Sequence, residues 1–135
     1  MNRVFADTSF YQALLNPRDR WHADALSRST EFRGHVTTSE YVLCELGALM
    51  SHGRLRPLFL DFVRTLQSAS DVEIVAGSHE LFETGLDLFS GRSDKDWSLT
   101  DCISFTLMGE RGLQESFAYD RHFDQAGFRQ LMPGA

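Results

Sequence analysis

"VFADTSFYQALL", residues 4–15, decides how the chain is read. Three apolar residues run straight into Asp7, and a helix-forming stretch starts right after it. Residues 3–6 read as a short buried strand and residues 8–15 as a helix halted by Asn16-Pro17. A carboxylate at the end of a buried strand is costly to desolvate unless a partner or a cation meets it. Asp is also a favoured N-cap, so Asp7 alone supports two readings, a cap or a group held for chemistry.

Further along, the same alternation repeats. Residues 21–31 read as a second helix, and "GHVTTS" (34–39) as a strand that reaches a helix start at Thr38 or Ser39. Tyr41, Val42, Leu46, Leu49 and Met50 recur at helical spacing with Glu45 inside their apolar stripe, and Gly53 breaks that helix. Leu55, Leu58, Phe59, Phe62, Val63 and Leu66 form a second amphipathic pattern. "VEIVA" (72–76) is β-branched and reads as a strand. Leu81, Phe82, Leu86 and Phe89 mark a helix ended by Ser90-Gly91. Residues 99–110 read as a largely apolar, buried helix. "ESFAYD" (115–120) is a strand ending on another acid, and "FRQLMP" (128–133) a last strand. Strands alternating with helices predict a three-layer α/β/α sandwich around a mainly parallel sheet of four or five strands, with residues 1–135 as one domain. In such sheets binding sites form at the carboxyl ends of the strands, where Asp7 and Asp120 both fall.

Composition sets bounds on function. The 135 residues are 42% hydrophobic and 24% charged, as in a folded globular domain. No apolar run approaches a membrane span, and "MNRVFADTSF" is too polar for a secretory signal, so the expected location is cytoplasmic. Cys44 and Cys102 lie in apolar helical segments without ligand-like spacing and read as buried small hydrophobes. The net charge of −6 argues against a sequence-independent basic clamp on nucleic acid. It is compatible with an enzyme acting on phosphates if cations neutralise a cluster of acids. All 13 basic residues except Lys95 are Arg, which suits bidentate phosphate contacts.

Four acids stand where a merely structural acid is not expected: Asp7, Glu45, Asp101 and Asp120. Each has a simpler reading. Asp7 can cap its helix, Glu45 can pair with an Arg such as Arg54, and Asp120 can serve a turn. Ser98-Leu99-Thr100-Asp101 fits a capping box. Together these readings weaken, because two acids end strands of one sheet and two lie on helices packed against it. Converging carboxylates persist only with protons or cations among them. Hard oxygen donors suit Mg²⁺ or Mn²⁺ rather than Zn²⁺, and carboxylate-held divalent ions drive phosphoryl displacement.

Four blocks occur in order: "VFADTSFYQALL" (4–15), "TTSEYVLCEL" (37–46), "WSLTDCISFTLM" (97–108) and "AYDRHFDQAGFRQL" (118–131). With an acid in each, the sequence resembles the PIN-domain family, most of all the VapC-type ribonuclease toxins of prokaryotic toxin–antitoxin pairs. The resemblance spans nearly the whole chain. It implies Mg²⁺- or Mn²⁺-dependent cleavage of RNA phosphodiesters, commonly by a homodimer inhibited by a cognate antitoxin. It also implies that Asp7 and Asp101 are the main metal ligands, with Glu45 and Asp120 holding metal directly or through water. Ser9 and Thr100 are hydroxyls placed to bond the carboxylates or the scissile phosphate. Asp96 and Asp124 are weaker, outer candidates, and Arg121 is either a phosphate contact or a solvated charge. Glu40 lies about 140° around the helix from Glu45, so Glu45, on the inward face, is preferred. His122 reads as a packing or capping residue, Phe123 and Phe128 as core, and Trp21 and Trp97 as partly buried anchors rather than base-stacking platforms. Leu55–Leu66 is a candidate dimer or antitoxin surface, which packing within the domain explains equally well.

Other Asp-at-strand-end folds fit worse. A haloacid-dehalogenase-like phosphatase wants an Asp where Ser9 stands, and a receiver domain needs an acidic pair and a late Lys. The serious alternatives are a PIN-like module that binds RNA or protein without cutting, which a missing acid would mark, and a housekeeping RNA-processing nuclease.

Overall fold

The computed structural model describes residues 2–131. Five strands form one sheet: β1 (Asn2–Ala6), β2 (Gly34–Ser39), β3 (Val72–Val75), β4 (Glu115–Phe117) and β5 (Arg129–Gln130). Their order is β3-β2-β1-β4-β5, and every neighbouring pair is parallel. The helices are α1 (Thr8–Leu15), α2 (His22–Glu31), α3 (Glu40–Leu49), α4 (Leu55–Ser68), α5 (His79–Gly91), α6 (Leu99–Arg111) and α7 (His122–Gln125).

β1 is central, and Val4, Phe5 and Ala6 are all fully buried. That consecutive burial shows that both faces of the sheet are covered, as parallel sheets require. Phe5 stacks on Phe123, and Phe105 of α6 meets Phe123 edge-on. These rings fasten α6 and α7 to the central strand.

The chain winds from β1 out to β2 and β3, then crosses to β4 and β5 on the other side. The strand order therefore reverses between β1 and β4, which makes their carboxyl ends the topological switch point where a crevice opens. At that point the Asp7 N–H donates to Phe117 O at 3.0 Å.

α5 packs directly on α6, and Gly85 is what permits it. A Cβ at Gly85 would lie 2.3 Å from Ile103 Cγ1 and 3.0 Å from Ile103 Cα. In an exposed helix Gly→Ala gains about 1 kcal/mol, but overpacking a core costs about 1–3 kcal/mol. Gly85→Ala is therefore expected to destabilise the protein, read as a lower urea midpoint. A midpoint equal to or above wild type would show that α5 shifts freely.

Several expectations need correction. Cys44 is exposed; only Cys102 is buried. β4 ends at Phe117, so Asp120 stands three residues beyond the strand, in a turn. The strand read over 128–133 is confined to Arg129–Gln130, and residues 132–133 lie outside the described residues. α7 was not anticipated, since four residues are too few to show a period.

Candidate active site

The site is built by local capping chemistry at the carboxyl edge of the sheet. Asp7 leaves β1 in extended conformation and caps α1. Its Oδ2 accepts from the Ser9 N–H at 3.2 Å and the Ser9 hydroxyl at 2.8 Å. The Ser9 hydroxyl in turn accepts the Tyr119 N–H at 2.9 Å, tying α1 to the segment that leaves β4. Asp7 is 2% exposed, and its Oδ1 is buried without a hydrogen-bond partner. Burial, then the charges of Asp120 and Asp101, push its carboxyl up to about 8.

Asp101 is the third residue of α6 and completes the capping box. Its N–H donates to Ser98 Oγ, and the Ser98 N–H donates to Asp101 Oδ2, both at 3.0 Å. The same Oδ2 lies 2.6 Å from His122 Nδ1. Burial raises the Asp101 carboxyl and Asp120 adds to this, while the Ser98 N–H and His122 oppose it. Removing the cap by Ser98→Ala is expected to cost about 1 kcal/mol, measurable by urea denaturation. An unchanged midpoint would mean that α6 holds Asp101 without it.

Asp120 is half-buried, and its Oδ1 accepts the His122 N–H at 2.9 Å. Ligand-capable atoms of Asp101, Asp120 and His122 all lie within 4.8 Å of one another. One pattern recurs in all three aspartates: a single oxygen accepts the bonds that order the local backbone, and the other takes none among the described residues. Capping and cation binding therefore do not compete at these residues. An orphaned, buried oxygen on Asp7, on which the charges of Asp120 and Asp101 act, fits a hard divalent cation, which would supply the positive charge that this cluster lacks.

The close group of Asp101, Asp120 and His122 includes none of the other sequence candidates. Glu45 is half-buried on α3, and the carboxylates that act on Asp7 are Asp120 and Asp101. Glu40 is exposed and accepts the Gly77 N–H at 2.7 Å. Asp96 is exposed in the loop before α6, and Asp124 is exposed on α7, its N–H donating to Gln130 Oε1. Thr100 is half-buried at the second residue of α6, and Arg121 is exposed. Trp21 stacks on Tyr119 (centroids 5.2 Å, 5° between planes), and the Arg20 guanidinium lies over its ring at 4.6 Å. Trp97 is buried and donates to Gln125 Oε1. Both indoles are anchors.

His122 is the residue that sequence reasoning placed too far from the chemistry. The available signal was its position two residues after Asp120, where an Asx-type turn closes on its N–H. A four-residue helix gives no periodicity to show which way the imidazole points.

The chain belongs to the PIN-domain family: residues 4–129 match the PIN domain. Among its relatives is the 23S rRNA-specific endonuclease VapC20 of Mycobacterium tuberculosis, from strains CDC 1551 and H37Rv. It is 30% identical over 132 residues, which cover 96% of this chain and 98% of the relative. The crystal structure of M. tuberculosis VapC20, described as a Sarcin-Ricin loop cleaving toxin, matches with a TM-score of 0.85 at 26% identity. That match covers 93% of this chain and 95% of the other.

Proposed function

We propose that the protein is a divalent-metal-dependent endoribonuclease, the toxin of a toxin–antitoxin pair. Its proposed substrate is structured ribosomal RNA of the kind VapC20 cleaves. The observation that carries this reading is the set of three aspartates at the β1/β4 switch point, each with one oxygen committed to capping and one without a bond. The near full-length likeness to an RNA endonuclease supports it.

A bound Mg²⁺ or Mn²⁺ would supply Lewis acidity to the scissile phosphate and acidify water. Asp7 and Asp101 are assigned as its principal holders, with Asp120 and Glu45 contributing directly or through water. Asp96 and Asp124 belong to a looser outer set. Ser9, Thr100 and Arg121 are assigned to hydrogen bonding around the carboxylates and the phosphate. Leu58 and Leu60 of α4 and Leu49 of α3 are exposed. Such a surface supports binding of an antitoxin or a second copy of the chain. No helix among the described residues is long and apolar enough to cross a membrane.

The test is cleavage of a labelled 23S rRNA fragment and of a tRNA pool, each with Mg²⁺, Mn²⁺ or EDTA. The expected result is metal-dependent cutting of the rRNA fragment. Cutting of tRNA alone would overturn the substrate assignment and leave the nuclease standing. Binding to either RNA without cutting would favour the non-catalytic module.

A further inference from the structure

We propose that His122 is a positioning residue that sets the spacing of Asp101 and Asp120, acting by hydrogen bonds rather than as a metal ligand. The inference rests on the metal-nuclease reading above and deepens it.

His122 bonds to two of the three clustered aspartates. Its backbone N–H donates to Asp120 Oδ1 at 2.9 Å, and its Nδ1 lies 2.6 Å from Asp101 Oδ2. Nδ1 is 4.0 Å from Asp120 Oδ1, too far for a second bond. The network assigns the proton to Nδ1, because an ionised carboxylate only accepts and Asp101 Oδ2 already accepts the Ser98 N–H. The Nδ1 turned to Asp101 and Asp120 thus carries a proton and no lone pair for a cation, which leaves Nε2 as the ring's only possible ligand atom. In the proposed role Nε2 is not used. The imidazole therefore works as an orienting donor, the partner that carboxylate ligands of metals commonly have.

The consequence for Asp101 is specific. Two donors, from Ser98 and His122, fix Oδ2 and leave Oδ1 as the face turned to a cation. Phe123, the next residue, is fully buried against Phe5 and Phe105. α7 is thus anchored to the central strand, and the imidazole is held at a fixed height beside Asp101. The His122 side chain itself keeps 29% exposure, so truncating it leaves the core intact.

The experiment measures Mn²⁺ affinity by titration calorimetry for wild type, His122→Ala, His122→Asn and His122→Gln. Nitrogen hyperfine coupling in the Mn²⁺-loaded wild type is read by pulsed electron paramagnetic resonance. Asn places an amide donor close to the position of Nδ1, whereas Gln places one near Nε2. The expected result is about a 10–100-fold loss of affinity in His122→Ala, restored largely by Asn and not by Gln, with no directly bound nitrogen. Equal affinity in wild type and His122→Ala would overturn the proposal. So would a bound-nitrogen coupling together with equal losses in the Ala and Asn variants, which would make His122 a ligand. If wild type took up no Mn²⁺, the metal-nuclease reading would fall and take this inference with it.

Discussion

Asp7→Asn is expected to abolish RNA cleavage while raising the stability of the metal-free protein. Asn is as good an N-cap as Asp, so its carbonyl oxygen keeps the bonds from the Ser9 N–H and hydroxyl. The new amide can put a donor where the partnerless Oδ1 stands, in the field of Asp101 and Asp120. A carboxyl that must take up a proton to be buried beside Asp101 and Asp120 becomes an amide that is neutral at every pH. A gain of about 1–3 kcal/mol follows. Activity moves the other way. Loss of the proposed principal cation holder is expected to remove several kcal/mol of transition-state stabilisation, about a thousandfold or more in rate. The two effects are read by thermal melts in EDTA and by single-turnover cleavage with Mg²⁺. A variant that loses both stability and activity would show Asp7 to be a structural cap; one that retains activity would remove it from the site.

The second large effect is on pH. An ordinary Asp titrates near 3.8, and in the folded chain Asp7 is raised to about 8. Between those values the folded state holds a proton that the unfolded state has released. Stability of the metal-free protein therefore falls as pH rises across that window, by up to about 1.4 kcal/mol per pH unit for one proton. Asp101, also raised by burial, acts in the same direction. A divalent cation selects the ionised carboxylates, so its stabilising effect grows as pH rises towards 8 and its binding releases protons. Melts from about pH 5 to about pH 8, with EDTA and with Mg²⁺, check both halves. Wild type should lose stability with pH in EDTA and recover it with Mg²⁺, while Asp7→Asn should show a flatter profile. Equal slopes for the two proteins would mean that Asp7 is already ionised in the metal-free state.

The sequence made the fold readable because its signals were local. Val4, Phe5 and Ala6 are too uniformly apolar for a half-exposed strand, and they fill the centre of the parallel sheet. Ser98 and Asp101 spelled out their capping box, and the structure contains it. The capping and functional readings of Asp7 and Asp101 looked exclusive in sequence, but the capping bonds engage one oxygen of each side chain and leave the other without a bond among the described residues. The less legible parts depend on long-range packing. Cys44 is exposed on α3, which no pattern within residues 40–49 specifies. The orientation of His122 depends on Phe123 being pulled under Phe5, 118 positions earlier in the chain.

The most direct test of the site is anomalous scattering from crystals grown with Mn²⁺. The predicted result is a manganese peak among Asp7, Asp101 and Asp120, bonded to Oδ1 of Asp7 and Asp101 and to Oδ2 of Asp120. These are the oxygens that the capping bonds leave free. A peak elsewhere, or none at these three residues in Mn²⁺-saturated crystals, would contradict it.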